Sequence, residues 1–120
     1  MTKQNKKELD KLWQQVIHSR DKFCQVCHKQ EGLNAHHIFT RSRMNTRFDC
    51  DNGILLCTGC HIRSSLLSAH KAPLAFFRWL EFKKGKEFVD ALEIRSQMIA
   101  KNLDFKLLQL YLTNELKKYE

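Results

Sequence analysis

The chain has 120 residues, which is enough for one domain and too few for two ordinary ones. Its 21 Lys and Arg residues outnumber its 13 Asp and Glu residues, so the formal charge is +8. This excess favours a polyanionic partner, with nucleic acid ahead of an anionic membrane surface, although a solvated basic surface explains the charge equally well.

The chain contains no run of the ~18 to 20 apolar residues that a transmembrane helix requires. Its first residues are basic, but they include no continuous apolar segment and no small-residue cleavage site, so no export signal is predicted. We therefore expect a cytoplasmic protein without a membrane partner. A reducing compartment keeps cysteines as thiols, so the five cysteines favour metal binding over a disulfide framework.

The amino-terminal and central parts of the chain differ in their apolar pattern. Between residues 6 and 18, apolar side chains recur at helical spacing, which predicts an amphipathic scaffold helix. From residue 21 to about 60, short apolar runs alternate with Gly, Asn and Asp. These runs predict two short strands near 33–38 and 53–57. In the predicted amino-terminal helix, the apolar side chains at helical spacing are Leu9, Leu12, Trp13, Val16 and Ile17.

The remainder of the chain predicts helices. Residues 61–70 predict a helix that ends before Pro73, because the residue preceding a proline disfavours helical geometry. Pro73 can open the next helix, since a missing N–H is harmless in the first turn. Gly85 separates that helix from another, and a last helix is expected over 104–118 with Asp104 as its N-cap.

Two C-x2-C pairs, Cys24 with Cys27 and Cys57 with Cys60, are separated by 29 residues. Each pair can direct two sulfurs at one ion, and together they predict a tetrahedral thiolate site for structural zinc. Four structural thiols paired by chance are the less favoured alternative. Zinc would support strands that enclose little apolar core. Cys50 lies outside both pairs and is expected to be an ordinary buried thiol.

Histidines and one asparagine accompany the cysteines. The segments AHHI, DNGILLC and CTGCH contain His36, His37, Asn52 and His61 in this order. On these segments, the region from Cys24 to Ser65 resembles the HNH endonucleases of the ββα-metal (His-Me finger) group. The continuation SAHKAPLAFFRWL is similar to an extension found in some phage-encoded members.

The resemblance implies a metal-dependent endonuclease that nicks or cuts DNA and leaves 5′-phosphate and 3′-hydroxyl ends. His37 would be the general base, a role that suits a group titrating near neutral pH. His36 and His61 would bind the catalytic divalent cation, and Asn52 would orient His37 by a hydrogen bond across the loop. Many family members have Asp at the position of His36. Imidazole ligands accept Zn²⁺, Ni²⁺ or Mn²⁺ as well as Mg²⁺.

Two geometric expectations accompany this assignment. Neighbouring strand residues face opposite sides, so we expect irregular backbone at His36 and His37 if both serve one site. His70 follows His61 by nine residues, which places the two on opposite sides of a straight helix. As an additional metal ligand, His70 is therefore less favoured than as a phosphate contact or a helix-terminal residue.

The loop between the strands carries Arg41, Arg43 and Arg47, which we expect to bind DNA phosphates, although such a loop is also compatible with solvated surface.

Two alternatives to an independent nuclease stay open. One is a catalytically silent zinc module that binds nucleic acid. The other is a nuclease subunit active only within a larger assembly, such as a phage packaging or recombination complex in the host cytoplasm. The oligomeric state is not predicted.

The expected fold is of the α+β class, with a small ββα-metal core on a four-cysteine zinc site surrounded by several helices. We expect one domain over residues 1–120. It would comprise an amino-terminal helix over 1–20, the core with its zinc knuckles over 21–72, and carboxy-terminal helices over 73–120.

Overall fold

The computed structural model describes residues 1–63, 68–100 and 102–120. Its architecture is α+β, as predicted, with a small antiparallel sheet among helices. No helix in these described ranges is both long and apolar enough to cross a membrane. The elements are α1 (Lys3–Asp21), β1 (Leu33–His37), α2 (Met44–Arg47), β2 (Gly53–Cys57), α3 (Pro73–Lys84), α4 (Lys86–Gln97) and α5 (Phe105–Lys117).

The sheet separates two apolar clusters. Strands β1 and β2 pair antiparallel, with Ala35 opposite Leu55 and His36 opposite Ile54. On one face, Leu55 packs with the buried stripe of α1 and with Leu112 of α5. On the other face, Ile54 and Leu56 pack with residues of α3 and α4, namely Phe76, Leu80, Val89 and Leu92. Alternation along the strands thus presents each histidine of β1 to a different layer.

Gly53 permits the close approach of α1 to the sheet. It lies opposite His37 in the strand pairing. A Cβ atom at this position would lie 2.6 Å from Cζ2 of Trp13 and 2.5 Å from Cδ1 of Ile17. Because such separations are far below van der Waals contact, any larger residue here would displace α1 side chains from the sheet.

The helix predicted over residues 61–70 is not formed as predicted. A π-helical turn covers Gly59–Arg63, residues 64–67 lie outside the described part, and residues 68–70 are not helical. The backbone N–H of Ala69 donates to the carbonyl of Cys60, and that of His70 donates to the carbonyl of His61. These hydrogen bonds tie the two ends of the segment side by side, whereas a straight helix would have separated them.

The helices at the carboxy terminus largely follow the prediction. Pro73 opens α3, and Gly85, with φ of +93°, separates α3 from α4. The carboxylate of Asp104 accepts a hydrogen bond from the N–H of Leu107 at 3.1 Å, which confirms it as the N-cap of α5. The Tyr111 hydroxyl accepts from the N–H of Cys50 and so joins α5 to the turn before β2.

Candidate active site and metal centre

The four knuckle cysteines converge on one point. Cys24 and Cys27 lie in the turn after α1, Cys57 ends β2, and Cys60 lies in the π-helical turn. Their sulfurs all lie within 4.8 Å of one another, and those of Cys27 and Cys57 are 3.5 Å apart. Four thiols that meet in this way fit the tetrahedral donor set of a structural zinc ion.

The surroundings of Cys24 favour its thiolate. Burial alone would raise the pKa of this thiol, but backbone hydrogen bonds from Cys27, Cys57 and Val26 outweigh burial and lower the pKa to about 7. A thiolate is the form that binds metal. Cys50 contrasts with it, because burial raises the pKa of the Cys50 thiol to about 11. Burial also raises the pKa of the Cys60 thiol, so it is the geometry of the cluster, which does not include Cys50, that separates Cys50 from the metal ligands.

A second cluster consists of histidines. His36 on β1, His61 in the π-helical turn and His70 place ring nitrogens within 4.8 Å of one another. The Nε2 atoms of His61 and His70 are 3.0 Å apart. The expectation that His70 lies opposite His61 is therefore wrong. It assumed a straight helix, whereas the backbone N–H of His70 donates to the carbonyl of His61 and holds the two residues side by side.

The surroundings of His36 and His61 favour neutral imidazoles, the form that binds a metal ion. Burial, followed by charge repulsion from the neighbouring His61 and His70, lowers the pKa of His36 to about 3. Burial, followed by repulsion from His70, also lowers the pKa of His61. Neutral imidazoles present lone pairs to a metal, so the described residues fit a divalent cation with nitrogen ligands.

His37 lies on the opposite face of the sheet from His36. Its ring stacks on Trp13 with centroids 3.9 Å apart and planes inclined by 6°. The strand stays regular through His37, so the expected irregularity of the backbone is not found. Both histidines nevertheless line one pocket of about 600 Å³, because His37 is the last residue of β1 and borders its end. His61, His70 and Arg41 line the same pocket.

A backbone carbonyl determines the tautomer of His37. Its Nε2 lies 3.0 Å from the carbonyl oxygen of Arg47. A carbonyl only accepts, so Nε2 must carry the proton and Nδ1 is left with the free lone pair. Burial lowers the pKa of His37, although the hydrogen bond to Arg47 opposes this change. The neutral ring can therefore accept a proton at Nδ1 near neutral pH.

Asn52 is fully buried and braces the loop that follows His37. Its Oδ1 accepts from the N–H of Phe39 at 2.8 Å, and its Nδ2 donates to the carbonyl of Phe39 at 3.0 Å. The backbone carbonyl of Asn52 accepts from the N–H of Ile38. One side chain thus satisfies both backbone groups of a residue two positions after His37.

The three loop arginines are placed differently. Arg41 and Arg43 are exposed, and Arg41 lines the histidine pocket. Arg47 forms a two-pronged ion pair with Asp10 of α1, with N–O distances of 3.0 and 2.6 Å. Its guanidinium is therefore engaged within the fold, unlike the free phosphate ligand predicted from the sequence. The pattern of apolar residues in α1 did not predict this ion pair or the stacking of Trp13 on His37.

One of three comparisons with known proteins found a match. Residues 24–65 match a family model described as HNH endonuclease. Comparisons with curated proteins and with solved structures each returned no match. The matched segment includes the four cysteines with His36, His37, Asn52 and His61, and it indicates a nuclease-type function. Helices α1, α3, α4 and α5 lie outside the matched segment. Residues 24–65 are thus similar to the HNH endonucleases, the resemblance already noted in the sequence.

Proposed function

We propose that this protein is a metal-dependent endonuclease that hydrolyses phosphodiester bonds of DNA. One observation carries the proposal. His37, with its tautomer set by the Arg47 carbonyl, borders the same pocket as a cluster of three histidines suited to a cation. A silent zinc module would require the cysteine cluster alone, so the second cluster favours an enzyme.

His37 is the general base in this proposal. Hydrolysis requires a group that removes a proton from the attacking water, and Nδ1 of His37 has the free lone pair for that task. The lowered pKa keeps the ring neutral near pH 7, which is the state a base requires. Asn52 supports this role through the backbone of Phe39, because that loop continues directly from His37.

The histidine cluster would hold the catalytic cation, with His36, His61 and His70 as its ligands. When bound, this cation would supply positive charge that stabilises the phosphate and the leaving oxygen. Nitrogen donors suit Zn²⁺, Ni²⁺ or Mn²⁺ better than Mg²⁺, which prefers oxygen, so the third histidine strengthens the preference for a transition metal. The four cysteines would hold a structural zinc.

The proposed substrate is DNA held chiefly by its phosphates. The formal charge of +8 attracts a polyanion, and Arg41 brings an exposed guanidinium to the rim of the histidine pocket. Arg43 is also exposed and lies in the same loop. Such contacts provide affinity without sequence information. Cleavage would leave 5′-phosphate and 3′-hydroxyl ends.

The test is incubation of the zinc-loaded protein with supercoiled plasmid across a series of Mg²⁺, Mn²⁺, Co²⁺, Ni²⁺ and Zn²⁺. We expect open-circular or linear products whose 5′ ends carry phosphate, with transition metals more effective than Mg²⁺. His37→Phe is the matched control and should be inactive. Salt-dependent DNA binding without cleavage under any of these cations would instead identify a silent zinc module.

A further inference from the structure

Helix α1 lies outside the HNH-type segment but contacts its proposed base on one ring face. The indole of Trp13 is fully buried and parallel to the imidazole of His37. Its Nε1 donates to the carbonyl of Asp49 at 3.0 Å, which determines the rotation of the indole. A rigid planar surface therefore restricts tilting of the His37 ring.

Helix α1 also fixes Arg47, whose backbone carbonyl is the hydrogen-bond acceptor of His37. Asp10 pairs with the guanidinium of Arg47, whose backbone carbonyl accepts from Nε2 of His37. One turn of α1 separates Asp10 from Trp13. Both constraints on the imidazole, its stacked face and its Nε2 partner, thus depend on neighbouring residues of α1.

Gly53 provides independent evidence that the fold leaves room for Trp13 to stack on His37. It pairs with His37 across the sheet, and a Cβ there would overlap the indole of Trp13. The φ of Gly53 is −122°, an ordinary extended value that any residue adopts. The space occupied by the indole and by the side chain of Ile17 is therefore the feature of this position that excludes a side chain.

We infer that Trp13 is a positioning residue that orients the His37 imidazole for catalysis. The inference rests on the proposed function, because it assigns Trp13 to the base of that reaction. Orientation matters since displacement of a catalytic group by about 1 Å can lower the rate on the order of a hundredfold. Helix α1 is then part of the active site as well as a scaffold.

The experiment compares Trp13→Leu and Trp13→Phe with the parent, each as zinc-loaded protein of residues 1–120. Leucine keeps an apolar side chain without a ring, whereas phenylalanine keeps the stacked ring and loses the Nε1 donor. We expect Trp13→Leu to lower kcat for plasmid nicking by roughly ten- to a hundredfold with little change in KM. Trp13→Phe should retain most of the parental kcat. Leu92→Val, a buried change in α4, is the control for loss of stability alone.

A spectroscopic readout accompanies the kinetics. The indole ring current should shift the His37 ring-proton NMR signals upfield in the parent, and Trp13→Leu should remove that shift. Gly53→Ala, whose Cβ would overlap both the indole and Ile17, should shift the indole against His37, lower kcat and alter the same signals. It decides the question if Trp13→Leu does not fold.

The outcomes separate this inference from the proposed function. If the parent does not nick DNA, or His37→Phe nicks at the parental rate, the proposed function fails and this inference fails with it. If His37→Phe is inactive while folded Trp13→Leu or Gly53→Ala keeps the parental kcat, only the positioning role is overturned. A kcat loss equal to that of Leu92→Val at matched melting temperature would also overturn it.

Discussion

The Nε2 atoms of His61 and His70 lie 3.0 Å apart, although the residues are nine positions apart in the sequence. The hydrogen bonds from Ala69 to Cys60 and from His70 to His61 create this proximity. With His36, the cluster has three nitrogen donors, which is one more than the sequence favoured. This difference has consequences for metal affinity.

His70→Ala should weaken the divalent cation at the histidine cluster. Removal of a direct ligand should lower the affinity by at least about ten- to a hundredfold, the loss found when even an outer-shell partner is removed. The measurement is a Co²⁺ or Ni²⁺ titration of protein whose cysteine site is already filled with zinc. His18→Ala, an exposed histidine on α1, should bind as the parent does. Parental affinity in His70→Ala would exclude His70 as a ligand.

His37→Phe should abolish most cleavage while preserving the fold. Phenylalanine retains a planar ring against Trp13 but has no nitrogen to accept a proton, so the rate should fall by ~10² to 10⁴. The Arg47 carbonyl loses its partner, which should lower the free energy of unfolding by about 1 kcal/mol. Nicking rate, zinc content and urea unfolding are the measurements. Parental nicking by this variant would falsify the assignment of the base.

Asn52→Leu should reduce both stability and cleavage. The side chain of Asn52 satisfies the N–H and the carbonyl of Phe39, and leucine would leave both without that partner. Each unsatisfied buried group costs about 1 to 3 kcal/mol, and the loop that continues from His37 loses its brace. Urea unfolding and nicking assays measure the two effects. An Asn52→Leu protein that nicks normally at a temperature where it is folded would contradict the supporting role.

Cys57→Ser should cause loss of the structural zinc, whereas Cys50→Ser should not. Cys57 belongs to the sulfur cluster, and structural zinc typically contributes ~10 to 16 kcal/mol in small domains. We expect Cys57→Ser to contain less zinc per chain and to be degraded rapidly by protease. Cys50 is also buried but lies outside the cluster, so it is the matched control. Equal zinc content in the two variants would argue against the four-thiolate site.

The loop arginines should separate into two functional classes. Arg41→Ala and Arg43→Ala should each reduce the slope of log affinity for DNA against log salt by about 1, because each exposed guanidinium can neutralise one phosphate. Arg47→Ala should chiefly lower stability, since it leaves Asp10 without its partner. Duplex binding at several salt concentrations and urea unfolding measure these effects. An unchanged slope for Arg41→Ala would remove it from the DNA interface.

Local sequence patterns were sufficient for part of this molecule. The C-x2-C pairs predicted the thiol cluster, since each pair needs only a tight turn to direct its sulfurs. The short apolar runs predicted both strands to within one residue. The order of His36, His37, Asn52 and His61 predicted the similarity to HNH endonucleases over residues 24–65, because that pattern occurs within one continuous segment.

Tertiary structure decided the rest, because it joins residues whose separation in the chain gives no indication of contact. Helical spacing predicted that Trp13 faces the core, but the glycine on β2 and the pairing of the strands bring it onto His37. A helical pattern placed His70 away from His61, whereas long-range backbone hydrogen bonds align them. The sequence placed Arg47 in a loop and gave no indication of an acidic partner. The packing of α1 against the sheet brings Asp10 to Arg47 and forms the ion pair.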